Sequence, residues 1–236
     1  MIAPMTHDSA PAHRPERHWT MFWVLAGLSS AVVIVLSLGI EVDPAVKLAV
    51  RDVAAVARDG LALPFYTGWI SNVGFVGWFA SAAALLVCAH ICVREGRRRS
   101  AAYTGGAGVF SLLLGADDLF MLHDGAIGTG EEVLLLLWLL LGLTWAVSLR
   151  HELGHDPNLP LLVLASAMFG HSVITDLTTS GMLVFHEDAT KLAGIVVWTA
   201  WAWATAERHI VSPVVTVAEA TNRVVDVHLA DLPRRS

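Results

Sequence analysis

Long apolar runs separated by short polar stretches dominate the pattern of this chain. Each run is close to or longer than the roughly 20 residues that a helix needs to cross a membrane. Charged residues, Gly or Pro end the runs. The pattern therefore predicts an all-α, polytopic transmembrane helical bundle with six spans. The predicted spans cover residues 19–40, 65–93, 101–124, 131–149, 159–179 and 188–207.

Three segments fall outside the spans. Residues 1–18 are polar and rich in Pro and His, which predicts a disordered N-terminus. Residues 44–60 place basic side chains on one side of a helix and valines on the other, which predicts an interfacial amphipathic helix. That helix is either a simple connection between two spans or a lid over a site. Residues 211–236 carry regular charges and are expected to form a cytoplasmic tail.

Lysines and arginines in the short loops indicate the orientation. Four arginines lie in the loop at 94–100, whereas the loops at 125–130 and 180–187 have no Lys or Arg. Short loops rich in Lys and Arg stay in the cytoplasm. We therefore expect both termini to be cytoplasmic and the helix at 44–60 to lie outside, although its three basic residues run against this rule.

Composition supports a membrane protein and argues against a nucleic-acid partner. The chain is 55% hydrophobic and only 15% charged, below the roughly 25% charged residues of soluble domains. Its nine tryptophans suit interfacial anchors. The net charge of −6 and the lack of a basic cluster interleaved with aromatics exclude a typical nucleic-acid surface. Membrane lipid is the expected partner.

The stretch LLLGADDLFMLHD, residues 112–124, carries the most informative polar residues. Asp117, Asp118, His123 and Asp124 lie at the end of the third predicted span. A carboxylate at membrane depth costs several kcal/mol, so such residues usually face the interior of a bundle and mark function. Because polar side chains on spans five and six, or just before span six, also fall on stripes, we expect the stripes to meet. These side chains include His171, Thr175, His186, Glu187 and Lys191.

Charge balance suggests a bound cation. Eight carboxylates belong to this set, but Lys191 is its one obligate cation. The acids are therefore protonated, solvated at the rim or neutralised by a metal ion. Mixed His and carboxylate ligands suit Zn, Fe or Mn. The hypothetical metal ligands are Asp118, with Asp117 as an alternative, His123, His171 and His186, with Glu187 in reach.

Three classes of function remain open. In the first, a metal-dependent hydrolase or related enzyme acts on a lipid or apolar substrate, the metal activates water, and Asp117, Asp118 or Glu187 is the base. In the second, the same acids load and release protons in a proton- or cation-coupled carrier. In the third, the protein is an accessory subunit that works in a homo-oligomer or with a partner membrane subunit.

A separate motif lies in the loop predicted at 150–158. His151, Glu152 and His155 form the H-E-x-x-H string of zinc metallopeptidases. Gly154 and Pro157 oppose a continuing helix there. The favoured interpretation is a solvated cytoplasmic loop, and a zinc site is the alternative.

The runs DDLFMLHD and HEDATKLAGIVVW resemble a group of bacterial six-span membrane proteins without an established function. This resemblance implies a bacterial inner-membrane location. The arrangement is also distantly similar to the CREST membrane hydrolases, which include alkaline ceramidases. That similarity implies a zinc site with a serine, here Ser111 or Ser172. The chain lacks the His-x-x-x-His pair of the last CREST helix.

Overall fold

The computed structural model describes residues 67–120, 131–178 and 184–230, together with isolated positions before and between them. The elements of these ranges are helices and include no strand, so the all-α prediction is confirmed for this part of the chain. The predicted first span and the interfacial helix lie outside these ranges, apart from isolated helical positions. The helices are α1 (Trp69–Arg94), α2 (Arg98–Phe120), α3 (Glu131–Ser148), α4 (Arg150–Gly154), α5 (Leu159–Thr178) and α6 (Val184–Ala230).

The turn between α1 and α2 follows from a glycine. Gly96 has φ of +73°, a left-handed conformation that residues with a Cβ rarely adopt. The amide of Gly96 donates to the carbonyl of Val93, and the amide of Arg97 donates to Cys92. This is a Schellman motif, which ends a helix while satisfying its last carbonyl groups. The chain therefore reverses within four residues and places α2 beside α1.

The core lies where α1, α2 and α6 meet, and α5 packs against α6. Large aromatic side chains fill it, including the buried Trp78, Tyr103, Trp198 and Trp201. Small residues let the helices approach. A Cβ at Gly108 would lie 2.8 Å from the side chain of Leu86, so only glycine fits between α1 and α2 at that level.

One helix among the described residues, Ser71–Arg94, is long and apolar enough to cross a membrane. Two shorter apolar helices run over Val133–Ser148 and Leu159–Thr175. Helix α6 continues to Ala230, through most of the segment expected to be a tail. The six-span arrangement stays a prediction.

Candidate functional site

Asp117 and Asp118, near the end of α2, are both buried, with exposed fractions of 5% and 8%. The carboxylate of Asp118 has a partner for each oxygen. The ammonium of Lys191 on α6 lies 2.6 Å from Oδ1. The indole Nε1 of Trp78 on α1 donates to Oδ2 at 2.8 Å. Three helices therefore meet at this carboxylate.

Small residues bring the aromatic partners close to Asp118. A Cβ at Gly115, three residues before Asp118, would lie 2.9 Å from the Cβ of Trp78. A Cβ at Gly194 would lie 2.7 Å from the ring of Phe169. The ring of Phe169 stacks on Trp78 with centroids 5.4 Å apart. These contacts place an apolar aromatic wall beside a charged pair, which strengthens the attraction between the two charges.

Asp117 points to a different neighbour. Its Oδ2 accepts a hydrogen bond at 3.0 Å from Nε1 of Trp138 on α3. Consecutive helical residues are separated by about 100°, so adjacent carboxylates face different neighbours. Sequence reasoning could not decide which aspartate points inward; in the structure both are buried, Asp118 toward α1 and α6 and Asp117 toward α3.

The other predicted site residues lie in mixed surroundings. His171 is exposed on α5, whereas its neighbours Ser172 and Thr175 are buried, so the buried face of α5 excludes the histidine. Glu187 is half-buried in the first turn of α6. His123 lies outside the described residues, and the side chain of His186 does too.

No group of three or more His, Cys, Asp or Glu side chains converges on a metal site within the residues that the structure describes. The proposed ligand set includes His123 and His186, so it is not tested by this finding. The serine suggested by the CREST similarity is engaged: Ser111 Oγ donates to the carbonyl of Ala107 at 2.9 Å. The same oxygen accepts a hydrogen bond at 2.9 Å from Nε1 of Trp198.

A third buried carboxylate, Asp156, was missed by the sequence analysis, which expected a solvated loop there. Asp156 is 4% exposed. Its Oδ2 accepts hydrogen bonds from Tyr103 Oη at 2.8 Å, Trp201 Nε1 at 3.1 Å and Thr205 Oγ1 at 3.2 Å. Its Oδ1 accepts the amide of Asn158 at 2.9 Å. The Asp-Pro-Asn run before an apolar segment is a helix-start signal that could have indicated this role.

Basic groups surround the Asp156 end of the bundle. Arg97 donates to the carbonyl of His209 at 2.7 Å, and Arg208 donates to the carbonyl of His155 at 2.8 Å. Arg208 also lies 3.2 Å from Nε2 of His209. Burial, followed by the nearby charges of Arg208 and Arg97, lowers the pKa of His209. We infer a neutral His209 that accepts from Arg208.

Most of the H-E-x-x-H string is helical, whereas the sequence predicted a loop over the whole of 150–158. Residues Arg150–Gly154 form α4, and the exposed rings of His151 and His155 stack with centroids 4.6 Å apart. Nδ1 of His155 lies 2.7 Å from the carbonyl oxygen of His151. One ring nitrogen of His155 is therefore already engaged with a backbone carbonyl group of α4.

Comparison with known proteins gives a family but no relative of described activity. No curated protein matches the chain, and neither does any solved structure. Residues 25–205 match the family described as Domain of unknown function (DUF8692). Because this match covers most of the chain and includes the whole α2 site, the chain belongs to the DUF8692 family.

Proposed function

We propose that this chain is a six-span membrane protein that couples protons or small cations to the movement of a solute, with Asp118 and Lys191 as its exchange site. One observation carries the proposal. A buried carboxylate is opposed by a lysine ammonium at 2.6 Å in the interior of an apolar helical bundle. Intramembrane charge pairs of this kind typically mark ion or proton pathways.

The surface of α3 supports a membrane setting. Soluble monomers rarely expose a large contiguous apolar patch, because such a patch in water favours aggregation. In a bilayer the same surface contacts lipid tails without that penalty. The large hydrophobic side chains that α3 exposes are Val133, Leu136, Leu137, Leu139, Leu140, Leu141, Leu143 and Val147.

The exchange site works by substitution of one positive charge for another. An ionised Asp118 in a dry interior needs a compensating charge, and the Lys191 ammonium supplies it. A proton or a small cation that binds Asp118 neutralises the carboxylate instead. The ion pair between Lys191 and Asp118 is then lost, and the ammonium can move away from Asp118. The lysine side chain is 29% exposed, so in our proposal it can move toward the surface of the bundle.

Asp117 provides a second carboxylate next to the first. It accepts the indole of Trp138, so its charge state acts directly on the contact between α2 and α3. In our proposal, loading of the site changes the hydrogen bond to α3 as well as the ion pair to α6. Charge at one pair of adjacent residues is thereby coupled to the positions of two helices.

The hydrolase hypothesis is less well supported by this geometry. Both oxygens of Asp118 are occupied, one by Lys191 and the other by Trp78. Each oxygen keeps a second lone pair, but a metal ion or a proton donor that approached Asp118 would have to compete with the Lys191 ammonium. The hydroxyl of Ser111 is likewise used within the bundle.

Flux through reconstituted protein tests the proposal. Purified full-length protein is placed in liposomes that contain a pH-sensitive dye, and inward gradients of Na⁺, K⁺ or protons are applied. We expect pH-dependent proton movement that falls at least tenfold in Asp118→Asn and in Lys191→Met. Glu207→Gln is the matched control, because Glu207 is an exposed carboxylate of α6, and it should leave the flux unchanged.

Metal analysis of the same sample distinguishes the enzyme hypothesis from the carrier hypothesis. We expect no stoichiometric Zn, Fe or Mn. If a transition metal were bound at one per chain, or if Asp118→Asn kept wild-type flux, the exchange-site proposal would be overturned.

A further inference from the structure

Four exposed arginines at one end of the bundle have guanidinium groups without an ion-pair or hydrogen-bond partner within the described ranges. Arg94 ends α1, Arg98 and Arg99 begin α2, and Arg150 begins α4. All four are exposed. We call this set the arginine end. Unpaired guanidinium groups in such a set present hydrogen-bond donors and positive charge to whatever lies outside the bundle.

Internal contacts hold the arginine end together. Arg97, in the turn between α1 and α2, donates to the carbonyl of His209 on α6. Arg208 on α6 donates to the carbonyl of His155, directly after α4. These two bonds place the α1–α2 turn, the α4 region and α6 at the same end. The four remaining arginines therefore belong to one surface rather than to separate sites.

The local acids do not neutralise this surface. Glu95 is bonded to Arg97, and the buried Asp156 has its oxygens occupied by four donors. Glu152 is half-buried, and Glu207 is exposed on α6. Together with Arg97 and Arg208, the four arginines outnumber these four acids, so this end of the bundle keeps a net positive charge.

Helix α1 indicates where the arginine end would lie relative to a bilayer. The segment Ser71–Arg94, long enough to cross a membrane, ends at the first of the four arginines. Val87 and Val93, just before it, expose their apolar side chains. If α1 crosses the bilayer, as the proposed function requires, the arginines lie where the hydrocarbon ends and the lipid phosphates begin.

We propose that the arginine end binds the phosphate headgroups of anionic phospholipids. Guanidinium groups match phosphate oxygens with paired hydrogen bonds, and the positive charge selects anionic over zwitterionic lipids. This interaction rests on the membrane placement but not on exchange at Asp118. The lipid contact would hold the α1–α2 turn and α4 against the bilayer surface.

Lipid retention measured by native mass spectrometry tests this assignment. Full-length protein is extracted from nanodiscs of equal phosphatidylglycerol and phosphatidylcholine content, and the bound lipids are counted. We expect at least a tenfold preference for phosphatidylglycerol. The variant with Arg94, Arg98, Arg99 and Arg150 all changed to Gln should lose that preference, whereas the matching Arg→Lys variant keeps the charge and should retain it.

Three controls make the outcome decisive. Circular dichroism establishes that the variants are folded, and the Arg→Lys variant keeps the test valid if the Gln variant is not. Inorganic phosphate and glycerol phosphate should fail to displace phosphatidylglycerol; displacement at equal concentration would indicate a soluble phosphate ligand and overturn the lipid assignment. Asp118→Asn should retain the lipid preference, so loss of exchange and loss of lipid binding are distinguishable. Unchanged preference in the folded Gln variant would also overturn the proposal.

Discussion

Replacement of Lys191 by Met should reveal how strongly the ion pair stabilises the bundle. The change removes the ammonium that lies 2.6 Å from Asp118 and keeps a long apolar side chain in its place. Breaking a buried ion pair by removing one partner costs about 3–5 kcal/mol, because the other charge stays buried and uncompensated. The Lys191 side chain is 29% exposed, so we expect the lower end, about 3 kcal/mol.

An independent estimate gives a similar figure. Placing an uncompensated Asp at the centre of a transmembrane helix costs about 2.5–3.5 kcal/mol on insertion scales, which is an upper bound for Asp118 because it lies near the end of α2. For a chain of this size, about 3 kcal/mol corresponds to a fall of roughly 6–12 °C in Tm. Thermal unfolding in detergent, followed by far-ultraviolet circular dichroism, measures this shift.

A double-mutant cycle separates the pair from general damage. Asp118→Asn alone should cost less than Lys191→Met, because the partly exposed lysine can turn to water. With both changes present, neither member of the ion pair remains charged. The double variant should therefore lose about 2 kcal/mol less stability than the two single variants lose together. Arg99→Met removes an exposed arginine and should shift stability by less than about 0.5 kcal/mol. A coupling energy below about 0.5 kcal/mol would refute the reasoning, since contacting charges must then be independent.

Three further predictions use the same unfolding assay. Asp156→Ala leaves four buried donors without their acceptor and should cost about 4 kcal/mol, whereas Asp156→Asn keeps one oxygen and should cost about half; equal losses would contradict this. Gly108→Ala places a Cβ 2.8 Å from Leu86 and should cost about 1–3 kcal/mol, while Gly154→Ala, with open space around it, should not destabilise. The pKa of His209 in the folded protein is lowered below its ordinary 6.5. The contribution of neutral His209 to the free energy of unfolding should therefore be fully present above about pH 6.5 and decrease as the pH falls from there toward the native pKa. His209→Gln should remove this pH dependence, and an unchanged pH slope in that variant would count against the prediction.

Helix positions were largely predictable from the sequence because apolar runs and their ends are local signals. The predicted span at 131–149 corresponds to α3 over Glu131–Ser148, and the one at 159–179 to α5 over Leu159–Thr178. The predicted third span at 101–124 overlaps α2 over Arg98–Phe120, and its last residues lie outside the described ranges apart from Leu122. Helix periodicity sets which residues share a face but not which face is buried. On α5, for example, His171 is exposed while the neighbouring Ser172 and Thr175 are buried, a difference that periodicity alone does not give.

The candidate site was predictable in part, because an acid inside an apolar run is also a local signal. The cost of an acid inside an apolar run identifies Asp117 and Asp118 from the sequence alone. Their partners depend on long-range packing: Trp78 is 40 residues away from Asp118 along the chain. Asp156 was missed because it lies in the polar segment at 150–158, between His155 and Pro157, where no apolar run makes a carboxylate unusual.

The tryptophans give a single physical account of both polar centres. The sequence interpretation took them as interfacial anchors, and the exposed Trp69 and Trp203 still fit that role. Five others donate their indole N–H to an acceptor inside the bundle: Trp78 to Asp118, Trp138 to Asp117, Trp145 to the Tyr103 carbonyl, Trp198 to Ser111 and Trp201 to Asp156.

An indole is suited to this position because it combines a large apolar body with one donor. It satisfies a carboxylate oxygen without adding a charge and without admitting water. The rings of Trp78, Trp198 and Trp201 also contact one another in series, at centroid distances of 5.9 and 4.9 Å. The carboxylates of Asp118 and Asp156 are thus joined by a continuous packed aromatic row. We therefore expect a change of charge at one carboxylate that moves its indole to displace neighbours of the other, because rings packed at these distances leave few voids in which one ring could move alone.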